Sequence, residues 1–383
     1  MAVALDMFGF TMLIPDIQLR AQDIGASGWI IGAILASTFV VQVLVSPLWG
    51  AHSDRIGRKT VFVSCTLLSA LSMAIYVIAN TIPLLFVSRI VAGFGAANIA
   101  VAQASITEDN GANGKSRTAA LGRLTAAMSL GMIAGPAFGG VVSHAYGSAA
   151  VGWIGCAAST FGAIVVALYG KFYEGRKVET RGPIGFRPLF KEFPQLAPLV
   201  IVASVAWFAL SSLEGTFGRL LDHVWGYGRL EFGLIFSFEA VVGLIAQGVL
   251  IGWLSRKLGD RRLLVGSYVL QGVGLALTPF APELLVIFGA SFLFALGNSL
   301  ANPTVGGLCS DAVSASKHGE MFGVLQSARG VGFAIGPLVG GILFDIAPSL
   351  PYIFAGMVCL AAAAIVTRTV PNSTLVSSEP GYP

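Results

Sequence analysis

Apolar residues fall in long blocks along this chain, each close to bilayer length and each ended by a short polar interruption. A helix needs roughly 20 mostly apolar residues to cross the hydrocarbon core. On that measure the pattern predicts twelve spans: 2–17, 29–50, 60–79, 83–103, 119–142, 150–170, 198–216, 233–254, 264–280, 284–306, 322–344 and 351–369. The blocks are too long and too rich in glycine for barrel strands, which need about 10 alternating residues. The first span is short. Met1 runs almost at once into apolar sequence with no basic stretch, so no signal peptide is expected. Either the natural N-terminus is very short or residues precede Met1.

The longest polar interruption, 171–197, divides the spans six and six. The expected organisation is a six-helix bundle at 1–170, a cytoplasmic linker at 171–197, a second six-helix bundle at 198–370 and a cytoplasmic tail at 371–383. Two motifs support a duplication. The stretch from Gly50 to Lys59 after span 2 has a counterpart starting at Gly252 after span 8, an offset of 202. Gly135-Pro136 in span 5 is matched by Gly336-Pro337 in span 11, an offset of 201. Two pseudo-symmetric six-helix bundles around a central cavity, all α and integral to the membrane, are a transporter architecture.

Composition agrees and narrows the classes. Of 383 residues 55% are hydrophobic and 11% charged, against about 25% charged in soluble domains. Of the 23 Lys and Arg residues, 17 fall in the loops after even-numbered spans, the linker and the tail, and only Arg20, Arg219 and Arg229 fall in the opposite loops. The positive-inside rule therefore puts both termini in the cytoplasm, with the cell membrane as the default location. The net charge of +4 resides in loops, giving no case for nucleic acid. The four cysteines and four histidines are dispersed, without CxxC, so no metal site or disulfide framework is indicated. No Walker motif occurs, which argues against a built-in ATP-driven pump. No cluster of nucleophile and acid/base groups points to an enzyme.

Four stretches carry more specific information. Residues 50–59, GAHSDRIGRK, match G-x-x-x-D-R-x-G-R-[RK] at Gly50, Asp54, Arg55, Gly57, Arg58 and Lys59. Arg89 begins R-x-x-x-G in span 4. Gly131, Gly135, Pro136, Gly139 and Gly140 match G-x-x-x-G-P-x-x-G-G in span 5. Span 1 carries an acid, Asp6, then Gly9 and Pro15. Over essentially its whole length the chain thus resembles the major facilitator superfamily, and within it the twelve-span drug:proton antiporter branch that includes tetracycline exporters.

That resemblance implies a cytoplasmic latch at Gly50–Lys59, in which Asp54 sits at the N-terminus of span 11 or pairs with a nearby cation. The second copy departs from the motif, with Ser255-Arg256 in the place of Asp54-Arg55, so a second latch is expected to be weaker or absent. The resemblance also implies that Arg89 serves proton coupling or the latch, whereas residue physics alone leaves snorkelling to an interface open. The span 5 glycines are expected to pack helices closely and Pro136 to bend the span.

Acids inside spans are functional candidates. Asp6, Glu214 near the outer end of span 7 and Glu239 early in span 8 are the candidate proton carriers, unless Asp6 merely caps its helix or Glu239 pairs with Arg219 or Arg229. Gln42, Asn98, Gln103, Phe236, Asn298, Asn302 and Arg329 are candidate cavity residues, although most such polar groups simply join helices. The expected protein is a secondary transporter exporting small amphiphilic or drug-like molecules, with the proton as coupling ion and no other cofactor. It works in a lipid bilayer as a functional monomer, by alternating access. The alternatives are the same fold moving a sugar, organic anion or lipid, bound by Arg89, Arg123 and Arg329, or a non-transporting membrane sensor.

Overall fold

In lipid a backbone must satisfy its own hydrogen bonds, and helices do so within each segment. The computed structural model describes residues 2–96, 98, 99, 101, 102, 114–170, 186–313 and 318–370; within these, the side chains of 47, 50, 51, 54, 114–123, 125, 126, 129, 186–188 and 318–320 are not described. Helices occur at all twelve predicted spans: α1 (Ala2–Asp23), α2 (Gly28–Ile56), α3 (Arg58–Ile78), α4 (Ile82–Gly95), α5 (Gly114–Tyr146), α6 (Ser148–Tyr169), α7 (Leu196–Val224), α8 (Arg229–Leu258), α9 (Asp260–Phe280), α10 (Leu284–Asp311), α11 (His318–Ile346) and α12 (Leu350–Thr369). Ten helices among the described residues are long and apolar enough to cross a membrane. A short helix, Phe186–Glu192, lies inside the predicted linker, and α7 begins at Leu196.

Most helices run beyond the predicted apolar blocks, because hydropathy detects only the hydrocarbon-facing part. The first span is not short. It breaks at Leu13 and resumes with Pro15 in the first turn of a second segment that reaches Asp23. There the missing proline N–H removes no helical bond. Arg219 and Arg229, predicted for loops, are helical.

The two ends of the bundle are distinct. One, the basic end, holds the reversals between α2 and α3 and between α8 and α9. Each turns on a single glycine, Gly57 at φ 94° and Gly259 at φ 78°, a left-handed conformation that other residues resist. These glycines fix the repeat register: at offset 202, Asp54 corresponds to Arg256 and Arg55 to Lys257, one place from the alignment expected. Nearer the far end, Gly32 of α2 and Gly233 of α8 correspond at offset 201. The extra residue is absorbed by the wide π turn Ala246–Leu250 in α8, the usual form of a one-residue insertion.

Close packing follows the span 5 motif and its copy. Gly131, Gly135 and Gly139 lie against α1, where an added Cβ meets Ala4 O, Thr11 Oγ1 and Met12 O. Gly332, Gly336 and Gly340 of α11 lie in the same way against α7, at Ser204, Ser211 and Ser212. The next residue of each motif crosses between halves: Gly140 meets the Arg229 carbonyl of α8, and Gly341 meets the Gly28 carbonyl of α2.

The glycine contacts make a stability prediction. Gly139→Val drives a branched side chain into the α1 backbone and is expected to cost about 1–3 kcal/mol by overpacking. Gly266→Ala, where a Cβ meets nothing within 4 Å, should leave stability unchanged or raise it by up to about 1 kcal/mol. Thermal unfolding in detergent, followed by tryptophan fluorescence, checks both; equal midpoints for the two variants contradict the packing account.

Candidate functional site

Between the halves lies a central cavity of about 50 Å³, well below the ~300–1,000 Å³ of pockets that hold drug-sized ligands. The first half lines it with Phe10, Leu13, Thr38 and Phe39, the second with Ser211 and Phe333. Two charged residues enter this apolar space from opposite halves, Arg89 of α4 and Glu214 of α7. Aromatic rings narrow it: Phe39 meets Phe333 at 4.0 Å between centroids, and Trp207 meets Phe333 at 5.4 Å.

Arg89 is buried, so it does not snorkel. Its Nε donates to Ser88 Oγ at 3.2 Å, its guanidinium carbon lies 5.8 Å from the Tyr76 ring centre, and Nη2 has no partner. It stands seven residues from the far end of α4, whereas Asp54 is at the basic end of α2. The two positions thus stand at different depths along the bundle. Glu214 and Glu239 both lie ten residues from the far ends of their helices, about 15 Å in, deeper than their expected places. They are near enough for their charges to interact, and Ser291 hydrogen-bonds Glu239. Glu239 Oε1 has no partner. It pairs with neither Arg219 nor Arg229, which are engaged elsewhere.

Asp6 lies inside the first half, away from the central cavity. Ser159 Oγ and Asn98 Nδ2 donate to its carboxylate at 2.8 and 2.6 Å, and Ser69 at 3.5 Å. Asn98 therefore serves Asp6, and Asp6 does not cap a helix in water. Gln42 joins α2 to the Ala96 carbonyl at 3.3 Å. Phe236 packs with Phe217 and Phe232 in the core of the second half. Gln271, Asn298, Asn302 and Arg329 form a polar cluster within that half: Gln271 donates to Asn298 Oδ1 at 3.2 Å and Arg329 Nη2 to the Asn302 carbonyl at 3.2 Å. Gln103 and the side chains of Arg123 and Asp54 lie outside the described residues. Of the latch motif, Arg58 is buried, while Arg55 is exposed beside the Gly57 reversal and Lys59 half-buried.

The far end is sealed by groups that hydropathy assigned to span edges and loops. Asp16 of α1, fully buried, accepts from Ser148 Oγ at 2.8 Å and from Tyr76 and Ser143. Arg229 of α8 reaches across the halves to it, Nε to Oδ1 at 2.8 Å, and also donates to Asp23 at 2.8 Å. On the other seam Asp345 of α11 accepts from the backbone N–H groups of Gly28 and Trp29 at 2.8 and 3.0 Å. It thereby caps the N-terminus of α2, where the helix dipole favours an anion, and pairs with Arg219 at 3.2 Å. The available signal was a balance of charge: three cations in those loops, with Asp16, Asp23 and Asp345 at the neighbouring span ends.

Comparisons with known proteins place the whole chain. A family model described as Major Facilitator Superfamily matches residues 1–246 and 199–381. Multidrug resistance protein 1 of Bacillus subtilis (strain 168) is 29% identical over 350 residues, covering 91% of this chain and 89% of that protein. The class G tetracycline resistance protein of Vibrio anguillarum is 27% identical, covering 88% and 86%. Among solved structures, the nucleoside transporter NupG superposes with a TM-score of 0.76 at 15% identity, covering 96% of this chain and 98% of that one.

The seal yields a ranked prediction. Arg229→Ala leaves Asp16 buried without its cation and should cost about 3–5 kcal/mol. Asp23→Ala, removing a partner that is 64% exposed, should cost no more than about 1 kcal/mol. Unfolding midpoints in detergent test the order; equal losses refute it.

Proposed function

The chain belongs to the Major Facilitator Superfamily, and on that premise we propose that it is a proton-coupled exporter of small amphiphilic, drug-like molecules. It lies in the plasma membrane with both termini in the cytoplasm and acts as a monomer, since one chain supplies both walls of the cavity. The carrying observation is Glu214, which enters an apolar and aromatic cavity from one half while Arg89 enters from the other. Multidrug and tetracycline resistance proteins among its relatives support the same cargo class.

In this orientation the sealed far end is the outer face, and the cycle starts from a conformation closed to the outside. An apolar, cationic cargo gains from aromatic contact and from the Glu214 carboxylate. A proton on Glu214 cancels that attraction, so proton and cargo compete for one group. Binding of either shifts the balance between two conformations only by its differential affinity for them. A proton crossing the full field releases about 2.3 kcal/mol per 100 mV, enough to sustain a cargo gradient. Glu239, close to Glu214, is a second site in the same relay. The unpartnered Nη2 of Arg89 favours a second reading, in which the cargo carries an anionic group.

Proteoliposomes enclosing a pH-sensitive dye test this with lipophilic cations and organic anions added in turn. Cations should trigger proton flux, and Glu214→Gln should reduce it at least tenfold. Asp6→Asn, changing a group away from the cavity, should keep most of it. Flux triggered only by organic anions favours the second reading; no flux from folded protein with any compound rejects proton coupling.

A further inference from the structure

One contact between the halves is made by a residue that is neither charged nor part of any motif. Gln18 of α1 is fully buried. The Gly218 N–H of α7 donates to its Oε1 at 3.1 Å, and its Nε2 donates to the Glu214 carbonyl. Residues 214 and 218 stand four apart, the acceptor and donor of one rung of an α-helix. A single carboxamide from the opposite half therefore engages both groups of one rung, at the residue that carries the cavity acid.

The neighbouring backbone departs from α geometry. Two residues beyond Gly218 the helix widens into a π turn, Leu220–Val224. A side chain entering the i→i−4 ladder and a π turn are each recognised places for a helix to bend, and here the two lie side by side. Gln22, one turn along α1, reaches the same wide turn, 3.3 Å from Asp222 Oδ2 and 3.0 Å from His223 Nδ1. The position is also special in the duplication. The α1 residues Phe8, Thr11 and Met12 meet α5 as Phe208, Ser211 and Ser212 meet α11, an offset of 200. At that offset Gln18 corresponds to Gly218. The two equivalent positions meet on the pseudo-twofold axis, one supplying the amide and the other the space. A Cβ on Gly218 would meet Phe232 Cε1 at 2.9 Å and Gln18 Oε1 at 3.1 Å.

We propose that Gln18 is the positioning residue that couples closure of the far end to the α7 backbone carrying Glu214. When the halves part, the carboxamide leaves, the rung belongs to α7 alone and the π turn rewinds. The segment bearing Glu214 then turns relative to the far-end segment and moves its carboxyl with respect to Arg89. The charged and titratable groups facing this region are Arg89 and Glu214 at the cavity, Asp222 and His223 in the π turn beside Gln22, Arg219 held by Asp345, and Arg229 held by Asp16 and Asp23. The coupling role rests on the reading of Glu214 as proton carrier; the effect on closure does not.

The test uses the full-length protein in lipid nanodiscs. Spin labels at Tyr146→Cys and Leu285→Cys, exposed far-end sites of opposite halves, report closure, with the unsubstituted chain as control for its native cysteines. Hydrogen exchange of the peptide covering 213–224 reports the rung. Gln18→Ala and the shorter Gln18→Asn should each lower the closed-to-open ratio about tenfold and speed exchange in that peptide by a similar factor. Gln18→Glu, which donates to the Glu214 carbonyl only when protonated, should close the far end at acidic pH more than the wild type gains from the same pH change. Gln22→Ala should have a much smaller effect. Unchanged closure and exchange in Gln18→Ala, or losses equal to those of Gln22→Ala, overturn the proposal. In liposomes Gln18→Ala should shift the pH profile of proton flux. If Glu214→Gln keeps full flux while Gln18→Ala still opens the far end, the proton reading fails and the closure device stands.

Discussion

Contact between backbones, without intervening side chains, sets how closely the two halves of this protein approach. Lipid offers helices no hydrophobic gain for associating with one another, so close approach through small residues has to supply the attraction. At one seam Gly233 of α8 lies against the Pro136 carbonyl and Gly140 of α5; at the other, Gly32 of α2 lies against the Pro337 carbonyl and Gly341 lies against Gly28. The same two motifs bind α5 to α1 and α11 to α7 through their remaining glycines. Each motif helix thus has one face fixed within its own half and one edge resting on the other. Rocking the halves against one another breaks the edge contacts and spares the face, which is what a two-state gate needs.

The duplication is close in backbone and divergent in charge. Gly95 packs against Cys65 and Ser69 as Gly297 packs against Ser267 and Gln271, so α3–α4 and α9–α10 correspond at offset 202. On that register Arg89 corresponds to Ser291, and across α2 and α8 at offset 201 Thr38 corresponds to Glu239. Both pairs touch: Thr38 Oγ1 donates to the Arg89 carbonyl at 3.1 Å, and Ser291 hydrogen-bonds Glu239. One site keeps a cation beside a hydroxyl, and its copy keeps an acid beside a hydroxyl. The repeats thus place a cation in one half where the other has a hydroxyl, and an acid in the second half where the first has a hydroxyl.

Much of this was legible from hydropathy and spacing. Twelve spans, their division six and six and the paired glycine motifs all follow from local patterns that a bilayer imposes strictly. Helix ends did not, because Asp16, Asp23 and Asp345 look like loop residues to any measure that counts apolar character. Their partners come from the other half, and which face of a helix meets that half depends on packing. Arg89 and Glu214 stood out as charges within apolar blocks. Gln18 stood out in no way, since a glutamine at the edge of an apolar block is unremarkable until Gly218 opposite it leaves a matching space. The change of offset between Gly32 and Gly57 was visible in the sequence, but its meaning required the π turn at Ala246–Leu250.

The locations of the two π turns follow from these constraints. That in α8 absorbs one inserted residue and lies toward the basic end. That in α7 begins two residues after Gly218 and is met by α1 just before it and within it. A wide turn carries a poorer set of backbone bonds than the helix around it, so contacts beside it weigh on the balance between the wide and the α form. In α7 such contacts come from the opposite half: Gln18 engages the Glu214–Gly218 rung just before the turn, and Gln22 meets the Asp222 and His223 side chains within it. On the coupling proposed for Gln18, the helix bearing Glu214 changes geometry when the halves part. Its acid would then meet two different environments through the motion of a backbone, without any charge having to move first.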